Sequence, residues 1–197
     1  MSADEQRGRK PRADVQRNRA ALLETAQRHF LQHGVGTSLE AVAKEAGVGP
    51  ATLYRHFPTR EALLAAVLQT RSEELVARQA DIEQLGDAAE ALEQWLRAME
   101  EYFSAFSGLP DPLMAAARAQ EPDNPLTIPC SILITATDQY VRAAQSAGHV
   151  RASVQGNDLF LAACSIAWIK GNGAEKESLD RLRTLIASGY RQRDTQA

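Results

Sequence analysis

Leu22, Ala26 and Phe30 recur at every fourth position, with Leu23 and Leu31 beside them. This spacing predicts a helix from about Val15 to His33. Gly34 ends it, and Gly36 keeps the connection tight. Leu39, Val42, Ala43 and Ala46 then fall at i, i+3, i+4 and i+7, the face of a short second helix. Thr37-Ser38-Leu39-Glu40 fits a capping box with Thr37 as the cap, and Ser38 can cap in its place. The pattern breaks at Gly47-Val48-Gly49, and Pro50 follows at a first helical position, where its missing N–H costs nothing. Leu53 and Phe57 face inward from a helix of about two turns before Pro58 forbids continuation. Thr59 caps a fourth helix through Leu63, Leu64, Val67 and Leu68 to about Asp81.

From Asp87 onward helix follows helix, with no internal repeat and no strand-like alternation. Ala91–Phe106 carries Leu92, Trp95, Leu96, Met99, Tyr102, Phe103 and Phe106, an unusually aromatic stripe. Gly108 to Pro112 breaks it, with Asp111 as cap and Pro112 as the start of a short helix through Ala119. A loop at Glu121–Pro125 leads to a long helix from about Leu126 or Pro129 to Ala147, closed by Gly148. Asn157-Asp158 open an apolar helix ending near Ile169. After Gly171-Asn172-Gly173, Leu179, Leu182, Leu185, Ile186 and Tyr190 line one face of the last helix.

The expected fold is therefore all-α. Composition agrees: alanine is commonest, leucine, glutamate, glutamine and arginine are plentiful, and 44% apolar content excludes a disordered chain. The longest apolar run, Leu159–Ile169, falls short of the roughly 20 residues a membrane span needs. With no signal-peptide pattern at the polar, basic start, a cytoplasmic protein without a membrane partner is expected. Two cysteines, Cys130 and Cys164, are too few for a disulfide scaffold and read as buried thiols.

Net charge is −3, but Met1–Thr70 has ten Lys/Arg against seven Asp/Glu, so the acidic excess lies entirely beyond it. Arg7, Arg9, Lys10, Arg12, Arg17 and Arg19 concentrate positive charge ahead of the first apolar helix, so only the N-terminal part suits a polyanion. Short helix, glycine turn and second short helix is the helix-turn-helix arrangement, whose second helix enters the major groove. Thr52, Arg55 and His56 point away from Leu53 and Phe57, with Tyr54 at the edge. None is acidic, which leaves a face compatible with phosphates and base edges. His29 and His33 have i, i+4 metal-ligand spacing but no third ligand, and read as the edge of a packed helix. No nucleophile elbow, phosphate loop or acidic pair occurs, so no enzyme, cofactor or metal is expected.

The stretch "SLEAVAKEAGVGPATLYRHFPTREALL", Ser38 to Leu64, resembles the DNA-binding signature of the tetracycline-repressor (TetR) family of bacterial transcriptional regulators. The similarity reaches back through "RAALLETAQRHFLQHG" and covers about the first third of the chain. It implies a three-helix DNA-binding domain over residues 1–60 and a helical effector-binding and dimerisation domain over 61–197. Thr52, Tyr54 and His56 match positions that touch phosphates or bases, and Arg60 matches a backbone contact. Pro50, Ala51 and Arg55 match variable positions suited to sequence readout; Thr37 and Ser38 join them as DNA-binding candidates. Many members have Ser or Thr where this chain has Gly49, so a side-chain cap is lost there.

The family's late helices form a four-helix dimer interface, which here implies Leu159, Ala163, Ile166, Leu179, Leu182 and Ile186. An effector pocket is expected from Trp95, Met99, Tyr102, Phe103, Met114, Thr137, Tyr140, Phe160 and Cys164, apolar with a few placed polar groups. The expected partners are a pseudo-palindromic double-stranded operator, a second copy of the chain and a small, largely apolar effector that releases a repressor. The alternative is a constitutive DNA-binding regulator or structural factor with no effector.

Overall fold

The computed structural model describes residues 3–192, with side chains from Asp14 onward except that of residue 73. The charges at Arg7, Arg9, Lys10 and Arg12 lie outside the described side chains. Nine helices follow one another among the described residues: α1 Ala3–His33, α2 Leu39–Glu45, α3 Pro50–His56, α4 Arg60–Ile82, α5 Ala88–Phe103, α6 Pro110–Ala119, α7 Thr127–Ser146, α8 Gly156–Gly171 and α9 Lys176–Tyr190. Beyond the helices, the described residues form one isolated antiparallel bridge, Val150 to Arg191. No described helix is long and apolar enough to cross a membrane.

Helix α1 starts well before Val15. Its first turns are polar, so apolar periodicity carries no signal there, although Arg, Gln, Lys and Ala are good helix formers. Leu22, Ala26 and Phe30 are fully buried, and α1 packs on α2 and α4. Ser38, rather than Thr37, caps α2, accepting from the Ala41 N–H over 3.2 Å. Gly47 at φ +71° makes the left-handed turn out of α2, and Pro50 opens α3 after the extended Gly49. Thr59 caps α4 by accepting from Ala62 N–H.

Two boundaries differ from expectation. Asp87, accepting from the Ala89 and Glu90 N–H groups, starts α5 three residues before Ala91; α5 ends at Phe103. Phe106 lies in the following turn, packed edge-on against Phe30 at 5.7 Å. Helix α6 opens at Pro110 rather than at Pro112 with an Asp111 cap, because Pro110 already supplies the preset φ of a first turn.

Helix α8 sits at the centre of the C-terminal helices, against α5, α6, α7 and α9. Its Gly156 is required by contact: a Cβ there would lie 2.6 Å from Asp138 Oδ1, which accepts the Gly156 N–H. Phe160 and Cys164 are fully buried, and burial pushes the Cys164 thiol upward and that of Cys130 up to about 12. Both are therefore protonated, unreactive core residues. Helix α9 is clasped to α5 by Arg183, which bonds the 6%-exposed Glu100 carboxylate over 2.7 Å.

Candidate DNA-reading face and ligand cavity

Helix α3 is held by Leu53 and Phe57, 1% and 3% exposed, and its opposite side is free. Pro50, Ala51, Tyr54 and Arg55 are exposed there, while Thr52 and His56 are half-buried. Arg19 of α1 stacks over the Phe57 ring at 5.4 Å, fixing α1 against the end of α3. The outward surface combines one full cation, hydroxyls and an imidazole, the donor set that suits phosphates and guanine edges.

Thr37 and Ser38 are engaged locally. The Thr37 hydroxyl lies 3.3 Å from His29 Nδ1, and His29 Nε2 lies 2.8 Å from Glu45 Oε2. Glu45 also accepts from Arg28, and these bonds hold its carboxyl below its ordinary range. His29 is thus a buried link from α1 to Thr37 ahead of α2 and to Glu45 at its end, where the two helices pack. Its ring meets His33 edge-on at 5.7 Å, and no metal-holding cluster exists among the described residues.

Arg60, expected as a DNA-backbone contact, is also bonded within the protein. Its Nη1 donates to Val35 O over 2.7 Å and to Thr37 O over 2.6 Å, which anchors one arm of the half-buried guanidinium to the protein. Glu40, expected only as a member of a capping box, makes a further contact. Its carboxylate accepts from Ser38 Oγ at 2.8 Å and from the Tyr54 hydroxyl at 3.1 Å. Its pKa is lowered first by a backbone hydrogen bond, then by these two hydroxyls. Hydrophobic periodicity passes over it as a solvated position; only its place one helix away from Tyr54 reveals the contact.

A cavity of about 540 Å³ opens between α4, α5 and α7. Small residues on α4, Ala62, Ala65 and Ala66, create the space on one side, and Pro125, Ile132, Leu133 and Ala136 form the other. Of the nine residues expected to bind an effector, Trp95 and Tyr102 reach this cavity. Thr137 fixes the Trp95 indole by accepting its N–H over 2.9 Å, and Tyr140 stacks on that ring at 5.3 Å. Met99, Phe103, Phe160 and Cys164 are fully buried core, and half-buried Met114 is outside the lining. The α5 stripe thus divides: Met99 and Phe103 lie wholly in the core, while Trp95 and Tyr102 also reach the open space.

Among the described lining residues the polar groups are Gln69, Ser72, Gln79 and Tyr102, and none is charged. Burial pushes the Tyr102 phenol up to about 12, so it stays neutral, and its hydroxyl donates to Leu68 O over 3.2 Å. A second groove of about 310 Å³ between α5, α8 and α9 is crossed by the Glu100–Arg183 and Glu93–Arg191 pairs, which satisfy each other.

The expected dimer residues divide. Leu159, Ala163, Ile166 and Leu179 are at most 5% exposed within the single chain, whereas Leu182 and Ile186 are half-buried. The exposed large apolar side chains of α8 and α9 are instead Trp168 and Leu185, 42% and 68% exposed, with half-buried Leu161 at helical spacing from the first and Leu182 from the second. Leu185 therefore does not join Leu179 and Tyr190 on the inward side of α9.

A short helix, a glycine turn, a proline-opened helix with a polar outer face and a helical companion with an apolar cavity define a helix-turn-helix DNA-binding regulator. Residues 22–67 match the model described as bacterial regulatory proteins, tetR family, and residues 87–192 match the SbtR-like transcriptional regulator C-terminal domain. Among solved structures, the TetR transcriptional regulator SCO0520 of Streptomyces coelicolor is 32% identical with a TM-score of 0.56, the match covering 88% of this chain and 98% of that one. A TetR-family regulator from a Rhodococcus species, 22% identical with a TM-score of 0.59, shares the fold. The regulator UidR of Escherichia coli K12 is 33% identical over 66 residues, which is 33% of this chain and 34% of that protein. The match thus spans about a third of the curated relative's length. The chain belongs to the TetR family of DNA-binding transcriptional regulators; the families and relatives it matches are regulators, not enzymes.

Proposed function

We propose that this regulator is a homodimeric repressor that binds a pseudo-palindromic operator through α3 and is released by a small, largely apolar effector in the α4–α5–α7 cavity. The observation that carries this reading is the position of α4. Arg60 at its start holds the backbone ahead of α2, and Ala62, Ala65 and Ala66, within the next two turns, line the cavity. A ligand that displaces this wall moves the element bonded to the DNA-reading motif. The dimer is supported by the exposed Trp168 of α8 and Leu185 of α9, with half-buried Leu161 and Leu182 on the same helices, which a second copy would cover. DNA half-sites about 34–36 Å apart, or a multiple of that, then face two α3 helices.

The effector's chemistry follows from the lining: with no charged group among the described residues, an uncharged lipophile with one hydrogen-bonding group fits best. The division at residue 60 is read functionally, with α1–α3 meeting DNA and α4–α9 sensing and pairing. The test is to titrate the protein–operator complex with decan-1-ol, methyl decanoate and biphenyl-4-ol while following Trp fluorescence and DNA anisotropy together. Release that tracks ligand binding supports the repressor. Unchanged DNA affinity at full occupancy supports the constitutive alternative.

A further inference from the structure

The geometry points to Glu40 as a base-reading, specificity-determining residue: its carboxylate selects cytosine at one symmetric pair of operator positions. The inference rests on the α2–α3 face being the surface that meets DNA. Glu40 is exposed on α2 directly beside exposed Tyr54 of α3, so the two side chains approach a duplex together.

A carboxylate is acceptor-only, with about four lone-pair directions. Ser38, Tyr54 and the backbone N–H of Glu40 itself engage this group and hold it in place, and the remaining direction is open. Against a polyanion it has no favourable partner on the backbone, where every phosphate repels it. On the major-groove edge, guanine offers N7 and O6 acceptors and thymine an O4 acceptor and a methyl group. Adenine offers an amino donor, but its N7 acceptor sits alongside. Cytosine presents its N4 amino donor without a competing acceptor, and this is the base edge a lone carboxylate matches.

Glu40 therefore complements Arg55. Arg55 is donor-only and suits guanine; Glu40 is acceptor-only and penalises every register that does not place an amino group before it. The Tyr54 hydroxyl, a donor to Glu40 in the free protein, keeps the carboxylate aimed across the face rather than into solvent.

The test is selection from a duplex library randomised across both half-sites, with wild type, Glu40→Gln and Glu40→Ala in parallel, each checked for an unchanged melting temperature. Wild type is expected to enrich cytosine about tenfold at one symmetry-related pair of positions. Glu40→Gln keeps hydrogen-bonding capacity toward Ser38 and Tyr54 but gains a donor, and its preference at that pair shifts to adenine, the base glutamine pairs in bidentate fashion. Glu40→Ala loses preference there and keeps it elsewhere, while its binding to unrelated DNA strengthens. The inference is overturned if both variants retain the wild-type preference at every position, or relax all positions equally. If wild type selects no sequence at all, the DNA-facing reading of α2 and α3 fails with it.

Discussion

Arg60 and Val35 are 25 residues apart, yet one guanidinium nitrogen of Arg60 donates to Val35 O over 2.7 Å and to Thr37 O over 2.6 Å. Val35 N–H in turn donates to Ser107 O over 2.9 Å, and a Cβ on Gly34 would stand 2.6 Å from that same oxygen. The connection ahead of α2 is thus pinned from both α4 and the turn after α5. Arg60→Ala should destabilise the protein by about 1.5–3 kcal/mol, the worth of charge-assisted hydrogen bonds. Chemical denaturation measures this. A phosphate contact would instead lower the salt slope of DNA binding by about one on removal, and here that slope should be retained.

The motif around these residues was legible because its rules are local. Gly47 takes a left-handed turn, Pro50 opens a helix and Thr59 caps one, each within a few residues of its cause. The partners of Arg60 and Glu40 were not legible, since both contacts join segments that periodicity treats separately. The cavity lining was legible only in part, for a related reason. Met99 and Trp95 share one helical stripe and both are buried, but only packing against α7 and α8 decides that Trp95 also borders the open space.

Filling the cavity should uncouple it from DNA. Ala66→Phe places a ring in open volume rather than in a packed core, so stability should change little. DNA affinity should stay within about threefold of wild type, as for substitutions outside packed or bonded sites. The fluorescence response to biphenyl-4-ol should disappear. Parallel anisotropy and Trp fluorescence titrations check both.

Tyr140 offers a control behind the cavity wall. Its hydroxyl is buried without a hydrogen-bond partner among the described residues, while its ring stacks on Trp95. Tyr140→Phe keeps the stack and removes an unsatisfied group, so stability should be unchanged or raised by about 1 kcal/mol. A fall of that size in thermal or denaturant unfolding would reveal a partner.

Alkaline stability should report Tyr102. Burial raises its folded pKa to about 12 from an ordinary value of 10.0, so the unfolded chain releases the proton first. The contribution is complete below pH 10 and declines as pH rises toward 12, by about 2–3 kcal/mol in all. Denaturation midpoints across that range, compared with Tyr102→Phe, isolate it; the variant should show the shallower decline. Phenolate absorbance gives the folded pKa directly.

The claim that the cavity governs the DNA-reading face is tested most directly by one paired titration. A fluorescein-labelled operator bound to the protein is titrated with an uncharged lipophile, and tryptophan emission and DNA anisotropy are recorded in the same sample. The account predicts that anisotropy falls in proportion to cavity occupancy, and that Ala66→Phe abolishes both changes. Quenching that saturates while the operator stays bound would contradict it.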